Sequence, residues 1–322
     1  MAKPVRILRE DDVRSLVGMK EALAAVEGAL REQGAGTGVN EPRRRVHQPH
    51  GTLHVMAGAL LARGYWGYKA YTTTRQGARF AVSLYDAASG RLLAMIEADW
   101  LGQLRTGAAS GVATRTLASP DARVLALLGA GLQAETQLEA VAAVCALRRV
   151  RVFSRTPERR QSFAARLGER LGLDIVPAAT VPEAVDGAGV VTSITTATDP
   201  ILRGEDLAPG MHVNAAGSNS AARAELDAGA IRRADRIFVD DVAQARLESG
   251  DLIRAYERNA LNWAAVRPLA DVVAGLTPGR RGPEDITLFE SHGLALWDVA
   301  LAAEVYERAE EQNVGDLLTF LE

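Results

Sequence analysis

The chain has 322 residues, about twice the roughly 150-residue size of a typical domain, so two domains are expected. It is 48% hydrophobic and 24% charged with a mean hydropathy of -0.02, which excludes disordered and fibrous classes and leaves enough apolar mass for sizeable cores. The formal net charge is -3, and no uncharged apolar run approaches the roughly 20 residues that cross a bilayer, so neither nucleic acid nor membrane is expected as a partner.

Residues 1–8 lack both the continuous apolar stretch and the small-residue cleavage site of a signal peptide, and a cytoplasmic protein is expected. Between Met19 and Gln33, the apolar residues Leu23, Val26 and Leu30 recur at the spacing of an amphipathic helix, and the glycines at 34, 36 and 38 stop it. Short strands are predicted at 44–48, 51–57, 65–73, 79–86 and 92–97, the last two joined by a hairpin turn at 86–90, which is antiparallel territory. A helix over 100–117 ends at Ser119-Pro120. The texture then changes. Residues 124–128 form the continuous apolar run of a strand buried on both faces, helical spacing covers 135–147, and 150–153 is a second strand. Further strands at 189–194, 212–215, 236–239 and 286–289 alternate with helical or loop segments, the pattern of a parallel, doubly wound α/β sheet. From 294 to 318 the pattern is helical again and is expected to return to the first domain. The single cysteine, Cys145, excludes an intramolecular disulfide, and its apolar surroundings at 141–147 mark it as a buried small hydrophobe.

Gly129-Ala130-Gly131-Leu132-Gln133-Ala134 directly follows the 124–128 strand and opens a helix, the context a dinucleotide fingerprint of form G-x-G-x-x-A requires. Gly129 allows the tight turn, Gly131 lets a pyrophosphate approach the backbone, and Ala134 is small enough for the helix to pack on the sheet. At the end of the second strand, where an NAD-binding fold usually presents an acid to the ribose, stand Ser154, Arg155 and Thr156. A guanidinium flanked by hydroxyls suits a 2'-phosphate, so NADP is the expected cofactor and NAD the alternative.

The series Arg45, Lys69, Leu104-Arg105-Thr106-Gly107-Ala108-Ala109, the 128–134 turn, Pro209-Gly210-Met211-His212-Val213-Asn214-Ala215-Ala216-Gly217 and Ser291-His292-Gly293 resembles the ornithine cyclodeaminase/mu-crystallin family in unbroken order. The resemblance implies a Rossmann-type doubly wound sheet, residues 119–298, inserted in a second α+β domain for substrate binding and dimerisation, residues 1–118 plus 299–322, and so a homodimer acting on a small imino or amino acid. It also implies that Arg45 and Lys69 hold a substrate carboxylate and that Arg105 reaches across a domain cleft toward cofactor and substrate. Gly129 to Gln133 would cradle the pyrophosphate, and Ser154 to Thr156 the adenosine ribose. Thr195, the 213–216 turn with Ala216, and Ser291 would face the nicotinamide half.

The chemistry of these positions is consistent with such roles. An Arg fork such as Arg45 binds carboxylate bidentately, while Arg43 and Arg44 read as solvated. Lys69, among Tyr65, Trp66, Tyr68 and Tyr71, would be partly buried with a lowered pKa and could donate a proton. His47, His50 and His54 lie on predicted strands and turns where their spacing does not converge, so no metal is expected; His54 is placed in the substrate pocket.

Where the cyclodeaminases have an Asp after the Asn-Ala-x-Gly turn, this chain has Asn219, whose amide cannot take up a proton near neutral pH. Oxidative deamination needs a base at the amino group, whereas reduction of a protonated cyclic ketimine needs positioning, a carboxylate anchor and a hydride. The expected activity is therefore NAD(P)H-dependent reduction of cyclic ketimine carboxylates, 1-pyrroline-2-carboxylate or 1-piperideine-2-carboxylate. The alternatives are an ornithine cyclodeaminase, an alanine dehydrogenase-like enzyme and a non-catalytic NADPH- and ligand-binding protein like the mu-crystallins. Asp240, Asp241, Glu248 and Asp298 are the acids that could restore a base, with Glu248 the first candidate for a pocket carboxylate.

Overall fold

The computed structural model describes residues 4–319; residues 1–3, part of the segment expected not to be a signal peptide, lie outside the described residues. In chain order the first elements are β1 (Val5–Leu8), α1 (Glu10–Leu16), α2 (Met19–Gly34), β2 (Gly38–Asn40), β3 (Arg44–Gln48), β4 (Gly51–Leu60), β5 (Tyr65–Thr74), β6 (Gly77–Asp86), β7 (Leu92–Glu97) and α3 (Asp99–Leu117). Then come β8 (Val124–Leu128), α4 (Leu132–Val144), β9 (Arg149–Phe153), α5 (Pro157–Leu171), β10 (Ile175–Ala178), α6 (Val181–Val185), β11 (Val190–Ser193), β12 (His212–Ala215), α7 (Ala228–Arg233) and β13 (Arg236–Val239). The chain closes with α8 (Val242–Glu248), α9 (Gly250–Glu257), β14 (Arg267–Pro268), α10 (Leu269–Val273), β15 (Thr287–Glu290), α11 (Ala295–Gln312) and β16 (Asp316–Leu318). Internal contacts divide it into two units, one running to Arg105 and resuming at Leu294, the other Thr106–Gly293. The sequence reading put these divisions at 118/119 and 298/299. Instead α3 runs unbroken through the first division, and all of α11 lies in the discontinuous unit.

The discontinuous unit is built on a sheet of order β16-β1-β7-β6-β5-β4-β2, with β3 also on β4. Antiparallel pairing of β4, β5 and β6 aligns Met56, Lys69 and Val82 in one cross-strand row and His54, Tyr71 and Phe80 in the next. Because side chains alternate, both rows point to the same face. Helix α11 packs on β4 and β5, and Met56, Tyr71 and Ala295 share a small core. The approach is close: a Cβ at Gly58 would lie 2.9 Å from the Leu296 nitrogen. The opposite face leaves Val55, Trp66, Tyr68 and Met95 exposed. Glu10 organises the start of α3 from a distance, accepting the Asp99 and Trp100 amides at 2.6 and 3.0 Å, donors that a helix N-terminus leaves unpaired. The tail differs from the helix expected to 318. Helix α11 stops at Asn313, in a left-handed conformation, and residues 316–318 pair antiparallel with β1.

The second unit holds a sheet of order β10-β9-β8-β11-β12-β15-β13-β14, every pair parallel. Its first five strands follow the 3-2-1-4-5 arrangement of a doubly wound dinucleotide fold. Strand β8 shows why its sequence is continuously apolar: Leu125 and Leu127 enter one core with α4 and α5, and Ala126 and Leu128 enter another with α6 and α7. Cys145 is half-buried at the edge of the first core rather than inside it, and burial pushes its thiol pKa up. Among the described residues, no helix is long and apolar enough to cross a membrane.

Candidate active site

The parallel unit presents a cradle at the carboxyl ends of β8, β9 and β11. Gly129 takes φ 126°, and a Cβ there would strike the Ile194 carbonyl, so the turn admits only glycine. Gly131 caps α4, and a Cβ on it would meet nothing within 4 Å: the space above this backbone is open, as an approaching phosphate requires. Ala134 is fully buried against the sheet. A cavity of about 450 Å³ is lined by Gly129, Gly131, Ser154, Arg155, Thr156 and Thr195. It is also lined by Arg159, in the first turn of α5, which the sequence reading missed although it lies four residues after Arg155. These residues fit a dinucleotide with an anionic ribose substituent. Leu132 and Gln133 are exposed at the start of α4 and do not line the cavity; nor do Ala216 and Ser291, at the ends of β12 and β15. The Ser291 amide donates to Ala215, and its hydroxyl is buried without a partner.

Around the ends of β11, β12 and β15 the same unit buries five acids. Glu225 accepts Ser193 Oγ, Thr195 N and Thr195 Oγ1 on one oxygen at 2.6–2.7 Å and Gly217 N on the other at 2.8 Å, tying together the loops after β11 and β12. Burial pushes its pKa to about 7 despite these donors. Asp251 accepts the Glu225 and Leu226 amides. Burial, helped by Asp251 and Glu225, raises Glu290 well above the usual carboxylate range. Burial acts upward on Asp240 too, but His292 and two amides hold it below that range. Asp241 caps α8. Glu248, at the end of α8, is buried and accepts Gln244 Nε2 at 3.0 Å; it lines none of the cavities described here. Asn219 is exposed on the loop after β12.

The discontinuous unit gathers cations. Lys69 is 3% exposed, and its Nζ donates to Asp298 Oδ1 at 3.0 Å. Arg105 Nε donates to the same oxygen at 3.0 Å. Asp298 Oδ2 is buried without a partner. Burial lowers Lys69 to about 8, with Asp298 opposing the drop and Arg105 adding to it. Burial acts upward on Asp298, but Arg105 and Lys69 hold its pKa below the ordinary value. Gly102 on α3 leaves room for Nζ, since a Cβ there would lie 2.8 Å from it. Arg45 pairs across the sheet with His54, in register with Tyr71. His54 stacks on Tyr71 at 4.1 Å, donor or acceptor to Thr73 Oγ1 at 3.1 Å, and burial beside Arg45 lowers its pKa to about 4. Arg43 corrects the sequence reading. It is buried, with Nε 3.3 Å from Met56 Sδ, because it continues the inward face of the sheet; Arg44 is exposed and Arg45 half-buried.

Residues 5–313 match the ornithine cyclodeaminase/mu-crystallin family. The chain belongs to that family. It is 32% identical to a Δ1-pyrroline-2-carboxylate reductase of Bacillus cereus over 98% of this chain and 99% of that protein. The Thermococcus litoralis Δ1-pyrroline-2-carboxylate reductase, solved with NADH and L-proline, superposes with a TM-score of 0.93 at 30% identity, covering 97% and 99% of the two chains. An archaeal alanine dehydrogenase dimer with bound NAD gives 0.93 at 31% identity, covering 98% and 99%. The family and the Rossmann-type architecture expected from the glycine turn are therefore established. Within this family member, Lys69 and Arg105 meet at one acid, whereas Glu248, the acid favoured from the sequence, is in the other unit. Asp298 was one of four acids named, and no local signal singled it out. Among the described residues, no group of three or more His, Cys, Asp or Glu is placed to hold a metal ion, and His47 instead meets Thr52.

Proposed function

We propose that this family member is an NAD(P)H-dependent reductase of cyclic ketimine carboxylates such as 1-pyrroline-2-carboxylate and 1-piperideine-2-carboxylate. The observation that carries the reading is the buried cluster in which Lys69 and Arg105 share one oxygen of Asp298. Two cations against one carboxylate leave a surplus positive charge away from water, and one substrate carboxylate neutralises it. Lys69, Arg105 and Arg45 anchor that carboxylate, and Lys69 keeps the imine nitrogen protonated. His54, Asn219 and Glu248 belong to the same proposal as substrate-side residues, Glu248 with the least support. When bound, the nicotinamide supplies a hydride to the imine carbon, which leaves the cyclic amino acid and the oxidised cofactor. Gly129, Gly131, Leu132 and Gln133 present the turn to the pyrophosphate, while Thr195, Ala216 and Ser291 border the nicotinamide half.

Asn219 supports reduction over cyclodeamination, because an amide offers no base to an ammonium. Arg155 and Arg159 on one cavity, with Ser154 and Thr156, support NADP over NAD. A groove of about 460 Å³ on the exposed sheet face, lined by Val39, Ala57, Trp66, Tyr68 and Tyr85, supports a homodimer formed through the discontinuous unit, as does likeness to a dimeric alanine dehydrogenase. That likeness also favours a second reading, reductive amination of pyruvate, which would use the same carboxylate anchor. The test is a panel of cyclic imines, pyruvate with ammonia, and ornithine, each with NADPH and NADH. Cofactor oxidation with the cyclic imines is expected; ammonia release from ornithine without net cofactor turnover would overturn the reading.

A further inference from the structure

The Lys69 and Arg105 side chains come from β5 and α3, elements far apart in sequence, and both end on a third, α11, through Asp298 Oδ1. A single oxygen holding two cations fixes the Nζ and Nε positions relative to each other. Lys69 faces Asp298, Arg105 and, more distantly, Arg43, as well as the rings of Tyr71 and Phe80 at 5.9 and 5.1 Å. His54 stacks on Tyr71 behind them. Asp298 is thus the anion that Lys69 and Arg105 share, and without it Lys69 would shed its proton into a buried, positively charged surrounding.

We propose that Asp298 is the positioning residue for the reaction: it assembles Lys69 and Arg105 into a paired carboxylate anchor and keeps Lys69 charged at neutral pH. This rests on the reductase reading only for the identity of the reaction. Asp298 does not act as the base that Asn219 fails to supply, because both neighbouring cations hold it ionised, with its pKa below the ordinary carboxylate value. Its role is electrostatic and geometric.

The chain contains only three lysines, Lys3, Lys20 and Lys69, so a protein labelled with 13C-lysine allows the Lys69 side chain to be followed directly by NMR. In the wild type, the Lys69 signal is expected to titrate near pH 8. In Asp298→Asn its midpoint should fall by about one pH unit or more. In parallel, kcat/KM for 1-pyrroline-2-carboxylate should fall about 100-fold at pH 8 and about ten-fold at pH 6, because only the higher pH strips the lysine of its proton. NADPH affinity, read by fluorescence, should stay unchanged and serves as the check that the variant is folded. An unchanged Lys69 midpoint, or a kcat/KM profile that superposes on the wild type, overturns the proposal. If the wild type reduces none of the imines yet the Lys69 midpoint still drops in the variant, the reductase reading fails while the pairing of Asp298 with Lys69 stands.

Discussion

The two units bury opposite kinds of titratable group. Every buried Lys or Arg among the described residues, namely Arg6, Arg43, Lys69 and Arg105, belongs to the discontinuous unit, which buries one acid, Asp298. The parallel unit buries Glu225, Asp240, Glu248, Asp251 and Glu290 and no Lys or Arg. The contrast follows from how each sheet solves its polar ends. An antiparallel sheet with one covered face can send long cationic side chains inward along a row, where they need an anion from a neighbouring helix. In a parallel sheet covered on both faces, polar groups collect at strand ends, where acids accept the free loop amides. The first arrangement leaves surplus positive charge in the interior, whereas in the second Glu225, Asp240 and Asp251 accept backbone amides and fix loops.

The most severe test of this division is Lys69→Met. On the proposed role, truncating a buried cation that meets the substrate carboxylate costs about 4 kcal/mol of binding, so kcat/KM for the imine should fall about 1000-fold. NADPH affinity should not change; a parallel loss of cofactor binding would break the comparison. Next comes stability against pH. Glu225 has its folded pKa raised from 4.5 to about 7, so the folded state keeps a proton that the unfolded chain releases. Its contribution, about 3 kcal/mol, is present below pH 4.5 and lost as pH rises to about 7. Lys69 acts oppositely: its pKa is lowered from 10.5 to about 8, so stability is regained as pH climbs from about 8 through 10.5. Denaturant titrations between pH 4 and 7 should show the first slope in the wild type and lose it in Glu225→Gln; equal slopes would place its source elsewhere.

Arg155→Ala sharpens the cofactor half. Losing charge-assisted bonds to a 2'-phosphate, worth about 2 kcal/mol, should raise the KM for NADPH about 30-fold while the KM for NADH scarcely moves. Gly102→Ala is subtler still. The new Cβ displaces Lys69 Nζ from its 2.8 Å approach, raising the imine KM about ten-fold, while thermal stability holds or rises because alanine favours the helix by about 1 kcal/mol over glycine. A fall in thermal stability alongside the rise in KM would mean that α3 itself had shifted. The smallest effect is that of Cys145→Ala, which at the half-buried edge of a core should change stability by about 1 kcal/mol or less and leave turnover intact.

Much of this architecture is legible in the sequence because its signals are local. Strands β3, β7, β8, β12 and β13 fall on the residues their patterns predict, and the 128–134 turn announces its own neighbours. Elements that depend on distant partners were not legible. Strand β1 is only four residues long and finds its neighbours in β7 and β16, and β16 carries no apolar periodicity of its own. The stop before β16 did leave a signal, Asn313 and Gly315 with positive φ, although helical spacing upstream masked it. The same limit applies at the site. Lys69, Arg45 and Arg105 stand in recognisable motifs, but the burial of Arg43 depends on strand register, and the pairing of Asp298 with Lys69 spans 229 positions.

That last separation sets a schedule. Ribosomes deliver the chain in order, and the acid that pairs Lys69 and Arg105 is synthesised 193 residues after Arg105, a delay of about 10–40 s at common elongation rates. The residues between them include all of the parallel unit, which can therefore complete its fold while the antiparallel sheet still lacks α11 and β16. Until Asp298 emerges, two cations destined for burial must stay hydrated, so the buried cluster of Lys69, Arg105 and Asp298 is among the last parts of the nascent protein to form.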